Sequence, residues 1–327
     1  MTTRRQFTSQ LGALAAMGAA GLPMIARAQQ PDLARLLVGF PPGGSTDNVA
    51  RRLADKLRGN YAPTVIVDNK PGAGSQIAVA ALKASAPDGA TLLLSPPAPF
   101  SVYPFTYKKL PYAIEDVLPV SLVCSFSFAF AIGPAVPASV KTLKDFIAWA
   151  KAEPAKANFG SPASGSTPHL VGSLLARMAG VPMTHVAYRG DAPGLQDLLG
   201  GQVAAYSTVL GSFLSHMKSD RLRVLAVSGT ARNAFAPDLP TYREQGYAID
   251  LTEWFGVFAP AKTPAALVQR VAGLIQAAVD QPDFGKGLAD FGMTPKWSTP
   301  QALAERLRVE TDEWRIHIKE LGFTAES

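Results

Sequence analysis

Gly39 and Gly44 bracket four residues in the stretch "GFPPGGSTD", and the hydroxyls of Ser45 and Thr46 follow at once. Glycines at that spacing ahead of a helix outline a phosphate loop, G-x-x-x-x-G-K-[ST], whose lysine reaches the β- and γ-phosphates. Here Ser45 stands in the lysine's place. The loop has a backbone suited to an anion and lacks the cation that a nucleoside triphosphate requires. Gly43 and Gly44 let the main chain approach a ligand closely, and the N–H groups of a helix start carry partial positive charge. A carboxylate can be held there without an arginine. Asp47 reads differently, because a carboxylate beside an anionic ligand repels it; its expected work is in capping the helix start.

The stretch "NFGSPASGSTPH" (158–169) repeats this logic, with Ser161, Ser164, Gly165, Ser166 and Thr167 running into another helical pattern. One glycine-serine loop is a weak signal. Two at strand-to-helix junctions, one in each proposed lobe, predict a cleft that clamps an anion. His169 opens the second helix, where it either touches ligand or holds the loop by a hydrogen bond. His185 sits in an apolar strand and is expected to be structural. Trp254 and Phe255 in "TEWFGVFAP" either wall the cleft or belong to the core.

Enzyme chemistry finds little support. There is no G-x-S-x-G turn for a serine nucleophile. The "GAGSQI" stretch has two glycines of a dinucleotide fingerprint but Ile77 in place of the third. His169, His185, His216 and His317 are scattered, and Cys124 is the single cysteine, so neither an internal disulfide nor metal-ligand spacing is available. The expectation is a binding protein with no catalytic residue, no metal and no cofactor.

The elements that must position these loops alternate. Strand-like 36–40 precedes helix-like 48–58; strand 64–69 precedes an alanine-rich helix at 77–85; a turn and strand occupy 87–95. The apolar run 118–134 is long for one strand and reads as a strand crossing between lobes. Alternation then restarts with helices at 143–152, 168–179 and 193–199 and strands near 157–163, 183–190, 202–209 and 222–229. The C-terminal part is helical, with Leu267, Val271, Leu274, Ile275 and Ala278 on one face and Leu303, Leu307, Trp314, Ile318 and Leu321 on another. Such alternation predicts α/β lobes, each a doubly wound sheet, with ligand at the carboxyl ends of the strands. Crossings near 125–135 and 230–255 divide the chain into 29–128 with 252–327 as one lobe and 129–251 as the other, with the cleft between them.

Residues 1–28 read as an export signal: Arg4 and Arg5 ahead of Phe7, an apolar stretch from Leu11 to Ile25, and a small-x-small site at Ala26, Arg27 and Ala28. The paired arginines resemble the twin-arginine type, and cleavage is expected after Ala28. Without Arg4, Arg5 and Arg27 the chain carries 28 basic against 25 acidic residues, so the pI of 9.4 overstates the exported protein. No lysine- or arginine-rich run offers a nucleic-acid footprint.

Eight blocks in order carry a resemblance: "VGFPPGGSTDNVAR", "VDNKPGAGSQIAVAAL", "APDGATLLLS", "KLPYAIEDVLPVSLV", "GSPASGSTPHL", "THVAYRGDAPGLQDLLGGQV", "APDLPTYREQGY" and "WFGVFAPAKTP". The chain resembles the Bug-type periplasmic solute-binding proteins of tripartite tricarboxylate transporters over essentially all of its exported length. The resemblance implies a type II periplasmic-binding fold that closes on a small mono- or dicarboxylate without catalysis, hands it to membrane permease subunits, and works as a monomer. Ligand contact then maps onto three loops. The first contributes Phe40, Pro42, Gly43, Gly44, Ser45, Thr46 and Asp47. The second contributes Ser161, Ser164, Gly165, Thr167 and His169, and the third Gly190, Asp191 and Ala192. Delivery to a signalling receptor, or secreted enzyme chemistry in the same cleft, are the other readings.

Two departures matter. Ala187 stands where the family block usually has proline. The segment "AAYSTVLGS" (204–212) has Tyr206, Ser207 and Thr208 where an acid or amide is common. Ser207 and Thr208 are therefore added to the candidate contacts. An amino-acid ligand needing an ammonium partner is disfavoured, and an uncharged ligand end is expected instead.

Overall fold

The apolar run read as one crossing strand is two strands in two different sheets. In the computed structural model, which describes residues 31–324, β4 (Val117–Phe126) and β5 (Phe128–Ile132) are separated by the single residue Ser127. β4 joins a six-stranded sheet of order β11-β4-β10-β3-β1-β2. β5 joins a five-stranded sheet of order β7-β6-β8-β5-β9. The first sheet comprises β1 (Leu33–Val38), β2 (Thr64–Asn69), β3 (Thr91–Ser95), β4, β10 (Glu253–Pro260) and β11 (Met293–Pro295). The second comprises β5, β6 (Asn158–Ser161), β7 (Thr184–Ala187), β8 (Ala205–Val209) and β9 (Arg223–Val227). This is a two-lobed α/β fold, and Ser127 marks one of its crossings. The Phe128 N–H donates to Ser228 Oγ at 2.8 Å, which ties this crossing to the second lobe.

The sheets are mixed rather than wholly parallel. β1 pairs in parallel with β2 and β3, and β6 with β7 and β8. β10 runs antiparallel between β3 and β4, and β5 antiparallel between β8 and β9. β10 and β5 are the strands next to the crossings, and every residue of both is buried. A chain entering a sheet from the other lobe is free of the helical crossover that forces parallel pairing.

Helices pack these sheets as their periodicity requires. α1 (Ser45–Leu57) buries Val49, Leu53 and Leu57 at four-residue spacing, in one core with Leu267, Val271 and Ile275 of the helix over Ala265–Val279. The helix over Leu143–Ala152 starts with a capping box, in which Thr142 Oγ1 accepts the Asp145 N–H and Asp145 accepts the Thr142 N–H. The long C-terminal helix, Pro300–Leu321, starts on Thr299, whose Oγ1 accepts the Ala302 N–H at 3.1 Å. Caps of this kind contribute about 1 kcal/mol each. The export signal expected at 1–28 lies outside the described residues.

Candidate functional site

Three helices begin at the wall of one cavity. α1 follows β1; the helix over Thr167–Ala179, here α2, follows β6; and the helix over Asp191–Leu199, here α3, follows β7. Gly44, Ser45 and Thr46 of the first, Ser166, Thr167 and Pro168 of the second, and Gly190, Asp191, Ala192 and Pro193 of the third all line an open cavity of about 810 Å³. None of the three starts has a side-chain cap. Uncapped starts occur elsewhere, at Gln76, Ala265 and Pro282. What sets these three apart is convergence. The first N–H groups of a helix have no intrahelical acceptor and carry the positive end of its dipole, so an anion in the cavity is drawn by three such ends.

The rest of the wall is largely apolar, and sheet pairing explains which side chains form it. Glu253 pairs with Phe126 at the end of β4 that adjoins the crossing. Phe126, Phe128, Glu253 and Phe255 therefore meet at the cavity, with Phe40, Tyr103 and several prolines around them. Trp254 points the other way along the same strand. It is fully buried, and its indole N–H donates to both oxygens of Glu310 at 2.9 Å. Of the two aromatics weighed in the sequence, Phe255 walls the cavity and Trp254 is core.

The candidate residues divide. Phe40, Pro42, Gly44, Ser45, Thr46, Thr167, Gly190, Asp191, Ala192 and Thr208 line the cavity. Gly43, Asp47, Ser161, Gly165, His169 and Ser207 are not on its wall, and Ser164 lines a neighbouring cleft with Gly72, Tyr107 and Tyr188. Ser207 and Thr208 are adjacent in β8, and successive strand residues face opposite sides. Thr208 faces the cavity, whereas the Ser207 hydroxyl is buried with no hydrogen-bond partner.

Asp47 holds the first loop from behind. Its carboxylate accepts from the Gly43 N–H, Arg51 Nε and Asn69 Nδ2, each at 2.9 Å. Asn69 also donates to the Phe40 carbonyl at 3.0 Å. Burial raises the Asp47 carboxyl, but the bonds from Arg51, Gly43 and Asn69 outweigh it and keep the acid below its usual range. The helix cap itself is Gly44, so Asp47 works from the third helical position instead.

His169 holds the second loop: its Nδ1 accepts the Gly165 N–H at 2.9 Å. Its ring stacks on His185 at 3.5 Å, and Ser161 Oγ lies 2.8 Å from His185 Nε2. Burial pushes both imidazoles down, to about 3 for His169, which also feels His185, and about 4 for His185. The stack is neutral at ordinary pH and braces the loop. In the third loop, Gly190 adopts φ 103°, a left-handed turn that favours glycine. A Cβ at Gly194 would lie 2.2 Å from the Tyr206 ring, so α3 rests directly on β8.

Two acids remain on the wall. Burial, reinforced by Glu310, pushes Glu253 up to about 8, so it is largely protonated at neutral pH. Asp191 receives the Thr208 hydroxyl in a short hydrogen bond and also bonds Ser212; burial raises its carboxyl against these bonds. The segment 204–212 therefore does carry an acid in space, contributed by the neighbouring helix. Arg189 is the one basic residue on the wall, and it is exposed. The missed wall residues carry no motif: strand pairing brings Phe126, Phe128 and Glu253 to the cavity, and Tyr103 comes from the short helix over Tyr103–Thr106.

The model of the tripartite tricarboxylate transporter family receptors matches residues 49–323. Protein BugT of Bordetella pertussis is 34% identical over 291 residues, covering 88% of this chain and 89% of BugT. The solved structure of periplasmic binding protein BugD superposes with a TM-score of 0.82 at 29% identity, covering 90% of this chain and 98% of BugD. Rpa4515 of R. palustris, solved with adipate, gives a TM-score of 0.84 at 28% identity, covering 89% of this chain and 98% of Rpa4515.

Proposed function

The chain belongs to the tripartite tricarboxylate transporter receptor family, and from that premise we propose that it captures a small carboxylate between its lobes and passes it to a membrane permease. The observation that carries the reading is the meeting of three uncapped helix starts, from both sheets, on one apolar cavity. The adipate in Rpa4515, a relative of the same fold, supports a carboxylate as the ligand class. The carboxylate sits against the N–H groups of Gly44 to Thr46 and of Thr167, with the Ser45 and Thr46 hydroxyls as further donors, while the Thr167 side chain bonds Glu253. Its carbon chain packs on Phe40, Phe126, Phe128 and Phe255.

The protein works in the periplasm as a monomer after losing residues 1–28. The lobes, 29–128 with 252–327 and 129–251, close about the crossings at Ser127 and before Glu253. Ligand shifts the open–closed balance by binding the closed form more tightly. No step of this cycle changes the ligand chemically.

The test is thermal unfolding of the exported form, refolded to strip carried ligand, against mono-, di- and tricarboxylates, amino acids and their amides. A ligand at 100 times its Kd adds about 2.7 kcal/mol, which raises Tm by several degrees. A shift with a carboxylate and none with its amide supports the reading. No shift with any carboxylate overturns it. Loss of uptake of the active carboxylate in a strain lacking this protein tests the delivery step.

A further inference from the structure

The long C-terminal helix serves both sheets. Leu303 and Leu307, in its first half, are buried with Leu122, Trp254 and Phe258 of the first sheet. Trp314 and Ile318, in its second half, are buried instead with Leu170 of α2, the helix that follows β6 of the second sheet. Gly322 then ends the helix at φ 62°, and Phe323 comes to lie on the second loop. The Phe323 ring meets the His169 imidazole edge-on, with centroids 4.8 Å apart and planes at 85°. That imidazole is the acceptor of the Gly165 N–H. A Cβ at Gly165 would lie 3.6 Å from the Phe323 ring and 3.6 Å from the Tyr107 ring, so both rings rest against the loop.

The second loop is thus gripped by residues from outside its own sheet. The Tyr107 hydroxyl donates to the Ser164 carbonyl at 3.3 Å, and the Thr167 side chain bonds Glu253 of β10. Neither Phe323 nor Tyr107 lines the cavity, so both act on the loop from behind. Gly165 sits at φ 69°, where a glycine has most freedom to leave. Its hydrogen bond holds the loop only while the acceptor ring stays in place. His185 stacks on that ring at 3.5 Å, and the Phe323 contact, of the edge-to-face kind that aromatic pairs favour, secures it further. We infer that Phe323 is a positioning residue for the anion site: it pins the His169 ring against His185, which keeps Gly165 and the α2 start where they receive a carboxylate. The C-terminal helix thereby couples the first sheet to a binding loop of the second. This inference rests on the carboxylate reading above.

The test compares Phe323→Ala and Phe323→Tyr with the unmodified exported protein. Hydrogen exchange at the Gly165 amide is read without ligand, and affinity by calorimetric titration with propanoate, hexanoate, succinate, glutarate and adipate. Phe323→Ala should speed exchange at Gly165 about tenfold while amides of β1 keep their rates. It should also weaken binding of the tightest of these acids about fivefold. Phe323→Tyr keeps the ring and should hold both readouts within about twofold of the unmodified protein. Packing alone would lower Tm and leave Kd unchanged at temperatures where every variant is folded. Phe323→Leu, which keeps bulk without the ring, gives the same two readouts if the alanine variant fails to fold. Unchanged exchange at Gly165, faster exchange with an unchanged Kd, or a loss in Phe323→Tyr as large as in Phe323→Ala each overturns the inference while the carboxylate reading stands. Binding of none of these acids by the unmodified protein overturns both.

Discussion

Two aspartates stand in the first turns of helices that open on the same cavity, and the fold treats them oppositely. Asp47 is 2% exposed, is turned away from the cavity, and is saturated by Arg51, Asn69 and the Gly43 N–H. Asp191 lines the cavity and bonds only hydroxyls. Burial acts on both. Three donors, one of them cationic, outweigh it at Asp47, and two neutral donors fail to at Asp191. An acid at a helix start thus braces the loop or faces the cavity according to its position in the turn. The third helical residue reaches back over the cap, whereas the first projects where the helix opens.

The comparison predicts opposite stability effects. Asp47→Ala strands Arg51, Asn69 and the Gly43 N–H together and should cost about 3 kcal/mol. Urea unfolding measures this, and ligand affinity should fall with it because the loop from Phe40 to Gly44 is released. A cost below about 0.5 kcal/mol would remove Asp47 from its bracing role.

Glu253, the other acid on the wall, makes stability depend on pH. Its carboxyl stands at about 8 when folded and near 4.5 when unfolded. Between these values the folded chain binds more protons, so its stability falls as pH rises from about 4.5 to about 8. Linkage sets an upper bound of roughly 5 kcal/mol, and relaxation of the site should leave about 2. Glu253→Gln should flatten that decline. The stacked His169 and His185 act with the opposite sign, because their folded values lie below 6.5. Stability they support above pH 6.5 is lost as pH falls through about 4 and then 3. Together these groups predict a maximum near neutral to slightly acidic pH. A curve still rising at pH 8 in the unmodified protein would contradict the Glu253 assignment.

Gly44→Val tests the α1 start itself. Gly44 has φ −77°, which any residue adopts, and an added Cβ meets only the Pro41 carbonyl at 3.8 Å. Folding should be nearly unaffected, while crowding of the N–H groups weakens carboxylate binding at least tenfold, about 1.4 kcal/mol. Unchanged affinity would move the anion site elsewhere. The smallest effect is expected of Asp191→Asn without ligand, a gain of about 0.5–1 kcal/mol as a desolvated charge is removed. A loss comparable to that of Asp47→Ala would erase the distinction between the two acids.

Much of this was legible in the residues. Glycine and hydroxyl runs at strand-to-helix junctions mark the first two helix starts because close backbone approach requires those residue types. The hydrogen bond from the Gly165 N–H to His169 was one of the two roles foreseen for that ring. The third start, with Asp191, was reached through the family resemblance rather than through spacing. Phe126, Phe128 and Glu253 were not legible, since their facing depends on which strands pair across the crossing. The antiparallel β10 and β5 were hidden for the same reason: an apolar run gives burial but not direction. Ser207 and Thr208 could have been separated from sequence by strand alternation alone.

The most direct measurement is a crystal structure of the exported protein with the carboxylate that gives the largest thermal shift. A carboxylate oxygen is expected within about 3 Å of backbone N–H groups at Gly44 to Thr46 or at Thr167. A ligand held by its carboxylate on Arg189 at the cavity mouth, or seated in the neighbouring cleft beside Gly72 and Tyr107, would contradict it.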